Sequence, residues 1–257
     1  MSRVQSALAL SLLALIVLTG WLPHAGPAFA LLFPDRDRLI YRQDDFADLI
    51  LAHLAIVGAS SLLAALLGSG VALAATRRWG LAFRPLLETL LAVSQALPPV
   101  AVLAVATPLI GFGPLPALIA LFLYGLLPIA QGMLAGLDSV PEGAREVARG
   151  LGMTPAQTLW QVELPLAAPV VLAGLRTSVT INIGTAALAS TVGVKTLGLP
   201  IIIGLSGFNT PYVLQGAVLV GLLALTVDLA FAALSEPLGR WRAPQPSPGE
   251  PTLAGAD

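Results

Sequence analysis

Charged residues are scarce in this 257-residue chain, at 11% of the sequence, while 56% of its residues are hydrophobic. A soluble domain of this length carries about a quarter of its residues as charged side chains, mostly on its surface. This chain has less than half of that share, so it does not have enough charge to cover itself in water. The scarcity of charge therefore predicts an integral membrane protein that is helical throughout.

Cysteine is absent and histidine occurs only at His24 and His53. Without cysteine there are no disulfides, no thiolate metal sites and no cysteine nucleophile. Two histidines do not favour a histidine-built metal site, so no metal is expected. The formal net charge is −1, without the basic excess that nucleic-acid binding requires. Nucleic acid is therefore not expected as a partner.

Lysine occurs once, as Lys195 in STVGVKT. A P-loop needs G-x-x-x-x-G-K-[ST], in which backbone amides and the lysine hold phosphate. The segment before Lys195 lacks the first glycine, and the chain also lacks the G-x-S-x-G pattern of a serine nucleophile. We expect no catalytic residue and no cofactor in this chain, and any ATP to be bound by a partner subunit.

Six apolar segments are long enough to be membrane spans, since a bilayer core of about 30 Å needs roughly 20 residues of helix. They are residues 7–21 (extendable to 33), 49–75, 86–110, 115–137, 166–191 and 212–234. The segment 197–205, LGLPIIIGL, is too short to cross and is predicted to be re-entrant or interfacial. Pro98 and Pro99 are expected to kink or break the third span.

The expected organisation has three parts. Residues 1–45 form an N-terminal transmembrane helix and an outer loop, residues 46–236 form the transmembrane domain, and residues 243–257 form a disordered tail. An alternative exists for the N-terminus, because Arg3, the apolar run and AFA at 28–30 also fit a cleavable secretory signal.

Positive charge predicts the orientation, because arginine and lysine are enriched in cytoplasmic loops. With the N-terminus inside, the inner loops hold Arg3, Arg77, Arg78, Arg84, Arg145, Arg149, Arg240 and Arg242, and the outer side holds Arg36, Arg38, Arg42 and Lys195. This excess places the charged segment 137–165 in the cytoplasm.

Segment 137–165 is predicted to be a pair of short helices. Ser139 with Glu142 fits a capping box for the first helix, and Thr154 with Gln157 fits one for the second. Gly152 suits the left-handed turn between them. On the first helix, the spacing puts one apolar and one charged set on opposite faces: Val140, Ala144, Val147, Ala148 and Leu151 against Glu142, Arg145, Glu146 and Arg149. Such a segment indicates either a docking element or a solvated connection.

The same segment resembles the signature of ATP-binding-cassette (ABC) importer permeases, E-A-A, three residues, G, nine residues, I-x-L-P. Glu146, Val147 and Ala148 match the first element, Gly152 is the glycine, and Val162, Leu164 and Pro165 match the last. The departures are Val147 for alanine and Val162 for isoleucine. Longer stretches, including ELPLAAPVVLAGLRTSVTINIGTAALASTVG, are similar to permeases of osmoprotectant importers, most of all to the Yeh-type betaine importer permeases of Gram-negative bacteria.

This resemblance implies a type I ABC importer permease fold, with about six transmembrane helices and a cytoplasmic coupling-helix loop at 137–165. It implies a multi-pass subunit of the bacterial inner membrane that carries glycine betaine or related quaternary amines. The implied partners are a cytoplasmic ATPase seated on the coupling loop, a periplasmic substrate-binding protein and a second permease, identical or paralogous. The resemblance also implies that the binding protein selects the substrate. The few aromatic residues of this chain form no visible cage for a quaternary ammonium group.

Ionisable residues at membrane depth are costly and often functional. Arg176 is expected to pair either with Asp228 or with Glu88, with snorkelling to the headgroups as the alternative. Asn182 is predicted to bond between helices or to line the pathway. These four residues are candidates for an intramembrane polar or gating role.

Two other functions remain open from the residues alone. An ion-gradient-driven secondary transporter would use Asp228, Glu88 and Arg176 as coupling groups, but would leave the capped cytoplasmic helices unexplained. A membrane scaffold subunit would transport nothing. Neighbouring genes for a P-loop ATPase and a secreted binding protein would favour the importer.

Overall fold

The computed structural model describes residues 2–77 and 79–239, which are helical with no strand among them. The α-helices are α1 (Arg3–Trp21), α2 (Gly26–Leu32), α3 (Phe46–Ala75), α4 (Arg84–Ala96), α5 (Pro99–Ile110), α6 (Pro114–Asp138), α7 (Glu142–Gly150), α8 (Pro155–Thr158), α9 (Leu164–Thr185), α10 (Gly198–Ser206) and α11 (Thr210–Gly239). Short 3₁₀ turns cover Leu22–His24, Leu81–Phe83 and Ala186–Val192, and Leu159–Glu163 is π-helical. The tail predicted at 243–257 lies outside the described residues.

Among the described residues, five helical stretches are long and apolar enough to cross a membrane, and the bent pair α4–α5 makes a sixth if it counts as one span. The stretches are Arg3–His24, Phe46–Ala75, Pro114–Asp138, Pro155–Val192 and Thr210–Pro237. The expectation of about six spans is therefore confirmed. The extension of the first span to residue 33 is wrong, because the stretch ends at His24 and Gly26–Leu32 is a separate short helix with Pro27 in its first turn.

The third span is broken rather than straight. The axis turns by 86° between Leu81–Ala96 and Pro99–Ile110. Pro98 and Pro99 carry no N–H, so they are unable to bond the carbonyl groups of Ser94 and Gln95 as a continuous helix would. The N–H groups of Ala101 and Val102 instead both bond the carbonyl of Pro98 and start α5. The sequence predicted the break but not its angle.

Helices α6 and α9 form the most extensive contact in the bundle, with α3 packed against α6. Glycines allow the two axes to approach closely, because a Cβ atom on Gly132 would lie 2.8 Å from the Cα atom of Gly174. The core has two parts. The outer part surrounds Leu49, Ile183 and Leu197, and the inner part is built from the cytoplasmic halves of α3, α4, α6 and α9.

The short apolar segment predicted at 197–205 forms the nine-residue helix α10, which begins one residue later. Helix α10 packs between α11 and the 3₁₀ turn Ala186–Val192 and does not cross the bundle. At the other end of the chain, α1 packs along α11. The Ser2 hydroxyl donates to Glu236 Oε2 at 2.7 Å, so the start of α1 and the end of α11 lie at the same side. This is the side predicted to be cytoplasmic, and it also carries α7 and α8.

Candidate coupling site

Helix α7 begins one residue after Pro141, and the capping box predicted for it from Ser139 is wrong. Ser139 is the C-terminal cap of α6, where its hydroxyl donates to the carbonyl of Gly136 at 2.7 Å. No side chain caps α7, whose N-cap is Pro141. A serine between two closely spaced helices suits either the C-terminal cap of the first or the N-terminal cap of the second. The spacing between Ser139 and Glu142 did not distinguish these two roles.

The apolar set on α7 does not form one buried face. Ala148 is 2% exposed and Val140 is 4% exposed, but Val147 is 64% exposed and Leu151 is 77% exposed. Glu146 is exposed beside them. The predicted charged face also splits, because Arg145 turns toward the protein body. Helix α7 and its C-terminal cap therefore present Glu146, Val147 and Leu151 to their surroundings, and these three residues are called the docking surface below.

A left-handed glycine ends α7 as predicted. Gly152 has φ +72°, its N–H donates to the carbonyl of Arg149 at 3.0 Å, and the N–H of Met153 donates to the carbonyl of Ala148 at 3.1 Å. These two bonds are a Schellman motif, which satisfies the last carbonyl groups of the helix. Gly152 thus fixes the exit of the chain from the docking surface.

The second capping box is confirmed. Thr154 Oγ1 accepts from the N–H of Gln157 at 3.3 Å, and Gln157 Oε1 accepts from the N–H of Thr154 at 2.8 Å, with Pro155 in the first turn. Helix α8 passes directly into the π-helical segment, in which Trp160 is 70% exposed, and then into α9. The segment therefore enters the membrane helix without a flexible break.

The last signature residues lie where the π-helical segment joins α9. Val162 is half-buried, Leu164 packs against the inner part of the core, and Pro165 is exposed in the first turn of α9. Pro165 follows directly on the π-helical turn, which closes with a bond from the N–H of Leu164 to the carbonyl of Leu159, so its missing N–H falls where the helical geometry changes. These residues position the helix entry rather than forming an exposed surface.

Sequence reasoning missed Glu163, the variable position of the signature. Its side chain is 9% exposed and lies between two arginines: Arg145 Nε donates to Oε1 at 3.0 Å, and Arg77 Nη2 donates to Oε2 at 2.8 Å. Arg145 Nη2 also donates to the carbonyl of Leu137 at 2.7 Å. The only available signal was a carboxylate within an apolar stretch, and its partners are distant in sequence.

The four intramembrane candidates do not form one cluster. Arg176 pairs with Asp228, and Glu88 accepts from Arg84 at 2.9 Å one turn earlier on α4. Asn182 is fully buried and its amide donates to the Ser61 hydroxyl at 3.3 Å, which joins α9 to α3. Of the two partners considered for Arg176, the structure therefore pairs it with Asp228.

A second residue that the sequence did not single out is His53, which is fully buried in α3. Its Nε2 lies 2.8 Å from the carbonyl of Ile183, just before α9 changes to 3₁₀ geometry. A carbonyl at such a transition has no regular helical partner. The imidazole therefore satisfies the backbone at this point, which is a structural role.

The outer loop is held by polar contacts to α11 and to Lys195. Lys195 Nζ donates to Asp44 Oδ1 at 2.6 Å, and the Tyr41 hydroxyl donates to Asp44 Oδ2 at 2.8 Å. The Lys195 ammonium, followed by the Tyr41 hydroxyl, holds the pKa of the Asp44 carboxyl below its ordinary value. Burial, together with Asp44, raises the pKa of Tyr41 well above the usual range. Gln215 Nε2 donates to the carbonyl of Leu39 at 2.7 Å.

Within residues 2–77 and 79–239, histidine, aspartate and glutamate side chains form no cluster of three or more that would hold a metal ion. Aromatic ring pairs in the same part occur at Phe29–Phe33 and around Tyr41, where Phe46 and Tyr212 pack against the ring. Tyr41 is 2% exposed, so this group is a packed corner of the outer loop.

Comparison with known proteins gives the same family from a family model and from similar permeases. Residues 64–238 match the family model of the binding-protein-dependent transport system inner membrane component. The chain is 41% identical over 191 residues to the osmoprotectant import permease protein OsmY of Salmonella typhimurium, covering 74% of this chain and 81% of that protein. It is 44% identical over 146 residues to the choline transport system permease protein OpuBB of Bacillus subtilis, covering 57% and 67%.

Solved structures share the fold. A crystal form of the inward-facing MetNI methionine ABC transporter matches with a TM-score of 0.68 at 21% identity, covering 75% of this chain and 95% of that one. An amino acid ABC transporter matches with a TM-score of 0.59 at 20% identity, covering 76% and 92%. At this identity the likeness establishes the architecture alone.

Proposed function

Because the chain belongs to the family of binding-protein-dependent transport system inner membrane components, we propose that it is the permease subunit of an ATP-driven osmoprotectant importer. Its fold is that of the type I ABC importer permeases, as the sequence predicted, and its place is the inner membrane. The substrates proposed are quaternary amines such as glycine betaine and choline. They are inferred from relatives that are 41–44% identical to this chain and are named as permeases for choline, for osmoprotectants, and for glycine betaine, carnitine and choline.

The observation that carries the coupling role is the docking surface on α7. Val147 and Leu151 are large apolar side chains that are 64% and 77% exposed beside the exposed carboxylate of Glu146, which favours contact with another protein. Residues 142–165 are capped, form helical turns and enter α9 directly, so a force applied to the docking surface reaches a membrane helix. The proposed occupant is a cytoplasmic ATPase, since the sequence contains no P-loop.

A complete importer needs further subunits. A second permease, either a copy of this chain or a paralogue, is proposed to form the pathway together with it. A periplasmic substrate-binding protein is proposed to select the substrate, because the aromatic group around Tyr41 is buried and offers no open cage to a quaternary ammonium ion. The division into an N-terminal part, residues 1–45, and a transmembrane domain, residues 46–236, is likewise proposed.

The secondary-transporter alternative would use exposed, titrating carboxylates inside the membrane. In the structure Asp228 pairs with Arg176, and Glu88 shares Arg84 with Asp138. Paired carboxylates of this kind suit a structural or gating role better than proton or cation binding. The intramembrane pair is therefore proposed to hold α9 and α11 together during transport.

The proposal is tested by purifying the chain from membranes with its partners and measuring uptake of radiolabelled glycine betaine and choline into proteoliposomes. We expect a P-loop ATPase to copurify and uptake to require ATP and the binding protein. Glu146→Lys is expected to abolish uptake while the protein stays inserted, because it reverses the charge of the docking surface. Uptake that continues without an ATPase would exclude the proposed function.

A further inference from the structure

The buried carboxylate of Glu163 joins three parts of the cytoplasmic side. We propose that Glu163 is a positioning residue that ties α7 to the inner end of α3, so that movement of α7 is passed to α3 and α9 together. This inference rests on the proposed function, because it concerns how a docked ATPase would move the membrane helices. Glu163 is proposed to act through Arg145 and Arg77, not through contact with substrate or ATPase.

Each oxygen of the carboxylate has its own guanidinium. Oε1 accepts from Arg145 on α7 at 3.0 Å, and Oε2 accepts from Arg77, two residues after α3, at 2.8 Å. Arg145 also reaches the carbonyl of Leu137 at the end of α6. One side chain therefore connects α7, α3 and the entry to α9, with α6 joined through Arg145.

Helix α7 has few other contacts that hold it in place. It has nine residues, and isolated helices of this length are marginal in water. Among its residues Ala148 is buried, whereas Glu142, Gly143, Glu146 and Val147 are exposed. Its orientation therefore depends largely on the Arg145–Glu163 pair and on the ends of the segment.

Burial makes the connection stiff. Glu163 is 7% exposed as a residue, and removing one partner of a buried ion pair leaves a charge that water does not easily reach. A displacement of α7 that keeps both ion pairs is therefore expected to carry Arg77 and the inner end of α3 with it.

The test separates coupling from folding by measuring uptake per ATP hydrolysed in proteoliposomes that contain the ATPase and the binding protein. Glu163→Gln keeps the shape of the side chain and removes its charge. We expect it to leave ATP hydrolysis in place while uptake per ATP falls about tenfold. Glu142→Gln is the matched control, because Glu142 also contacts Arg145, at 3.3 Å, but is exposed and lies on α7 itself. It is expected to keep the wild-type ratio.

Further variants keep the test decisive if Glu163→Gln does not fold. Glu163→Asp retains the charge and is expected to recover part of the uptake per ATP hydrolysed. Arg77→Gln is expected to lower this ratio although Arg77 lies outside residues 137–165, the coupling segment. A destabilised protein would lose hydrolysis and uptake in proportion, so a lower ratio indicates a positioning role. An unchanged ratio in Glu163→Gln or Arg77→Gln overturns the inference, whereas a wild-type complex without ATP-dependent uptake overturns the proposed function instead.

Discussion

Arg176 on α9 and Asp228 on α11 face each other through two parallel hydrogen bonds, Nε to Oδ1 and Nη2 to Oδ2, each 2.6 Å long. The bidentate geometry is the strongest that arginine and a carboxylate adopt. Both side chains lie in the cytoplasmic half of predicted spans, where an unpaired charge is costly. The pair therefore joins the helix that continues from the coupling segment to the last helix of the bundle.

A double-mutant cycle tests the energetic coupling of this pair. Arg176→Leu and Asp228→Leu are each expected to lower the free energy of unfolding in detergent, because each leaves the partner charge unpaired. The double variant is expected to lose less than the sum, with an interaction energy of about 1–2 kcal/mol. Thr177→Ala, an exposed neighbour on α9, serves as the control. Strictly additive losses would show that the two residues do not stabilise each other.

Because α6 and α9 approach closely, adding one methyl group between them is expected to lower the stability of the protein. A Cβ atom at Gly174 would lie 2.6 Å from the carbonyl oxygen of Pro128, which is backbone and does not rotate away. Gly174→Ala is expected to lower the free energy of unfolding by about 1–3 kcal/mol. Gly58→Ala in α3, where a Cβ atom meets nothing within 4 Å, is the control. Equal thermal midpoints for the two variants would contradict the packing described.

The left-handed conformation of Gly152 predicts a local effect on the coupling segment. Gly152→Ala forces a side chain to φ +72°, which costs about 1–2 kcal/mol. Gly143→Ala, in open space within α7, is expected to be neutral or stabilising. Faster hydrogen exchange across residues 148–153 in Gly152→Ala, with unchanged exchange in α3, is the expected result. Unchanged exchange across residues 148–153 would mean that Gly152 does not hold the end of α7.

The Lys195–Asp44 contact predicts a dependence of stability on pH. The folded-state pKa of Asp44 is lowered, so its contribution is present above the ordinary carboxyl value of about 4 and is lost as pH falls through the folded-state pKa. Lys195→Met removes the main cause of the shift and is expected to lessen the loss of stability on acidification, whereas Lys195→Arg keeps it. Thermal midpoints between pH 7 and pH 3 measure the difference. Identical acid profiles for Lys195→Met and wild type would contradict the assignment.

Much of the fold followed from hydropathy, because spans are set by the length of apolar runs. The break at Pro98 was predictable from the missing N–H groups, but its angle depends on how α5 packs against α6. Spacing on α7 identified which residues share a face and did not say which face meets the protein body, so Val147 and Leu151 were wrongly grouped with Ala148. Glu163 was missed because its partners are 18 and 86 residues away, and only the folded chain brings them together.

The central claim is that the docking surface couples this chain to an ATPase. Its most direct measurement is ATP-dependent glycine betaine uptake in proteoliposomes with the ATPase and the binding protein, comparing Leu151→Asp with the control Gly143→Asp. The account predicts that Leu151→Asp abolishes both uptake and the stimulation of ATP hydrolysis by the binding protein, while Gly143→Asp retains both. Full uptake and full stimulation in well-inserted Leu151→Asp would contradict it.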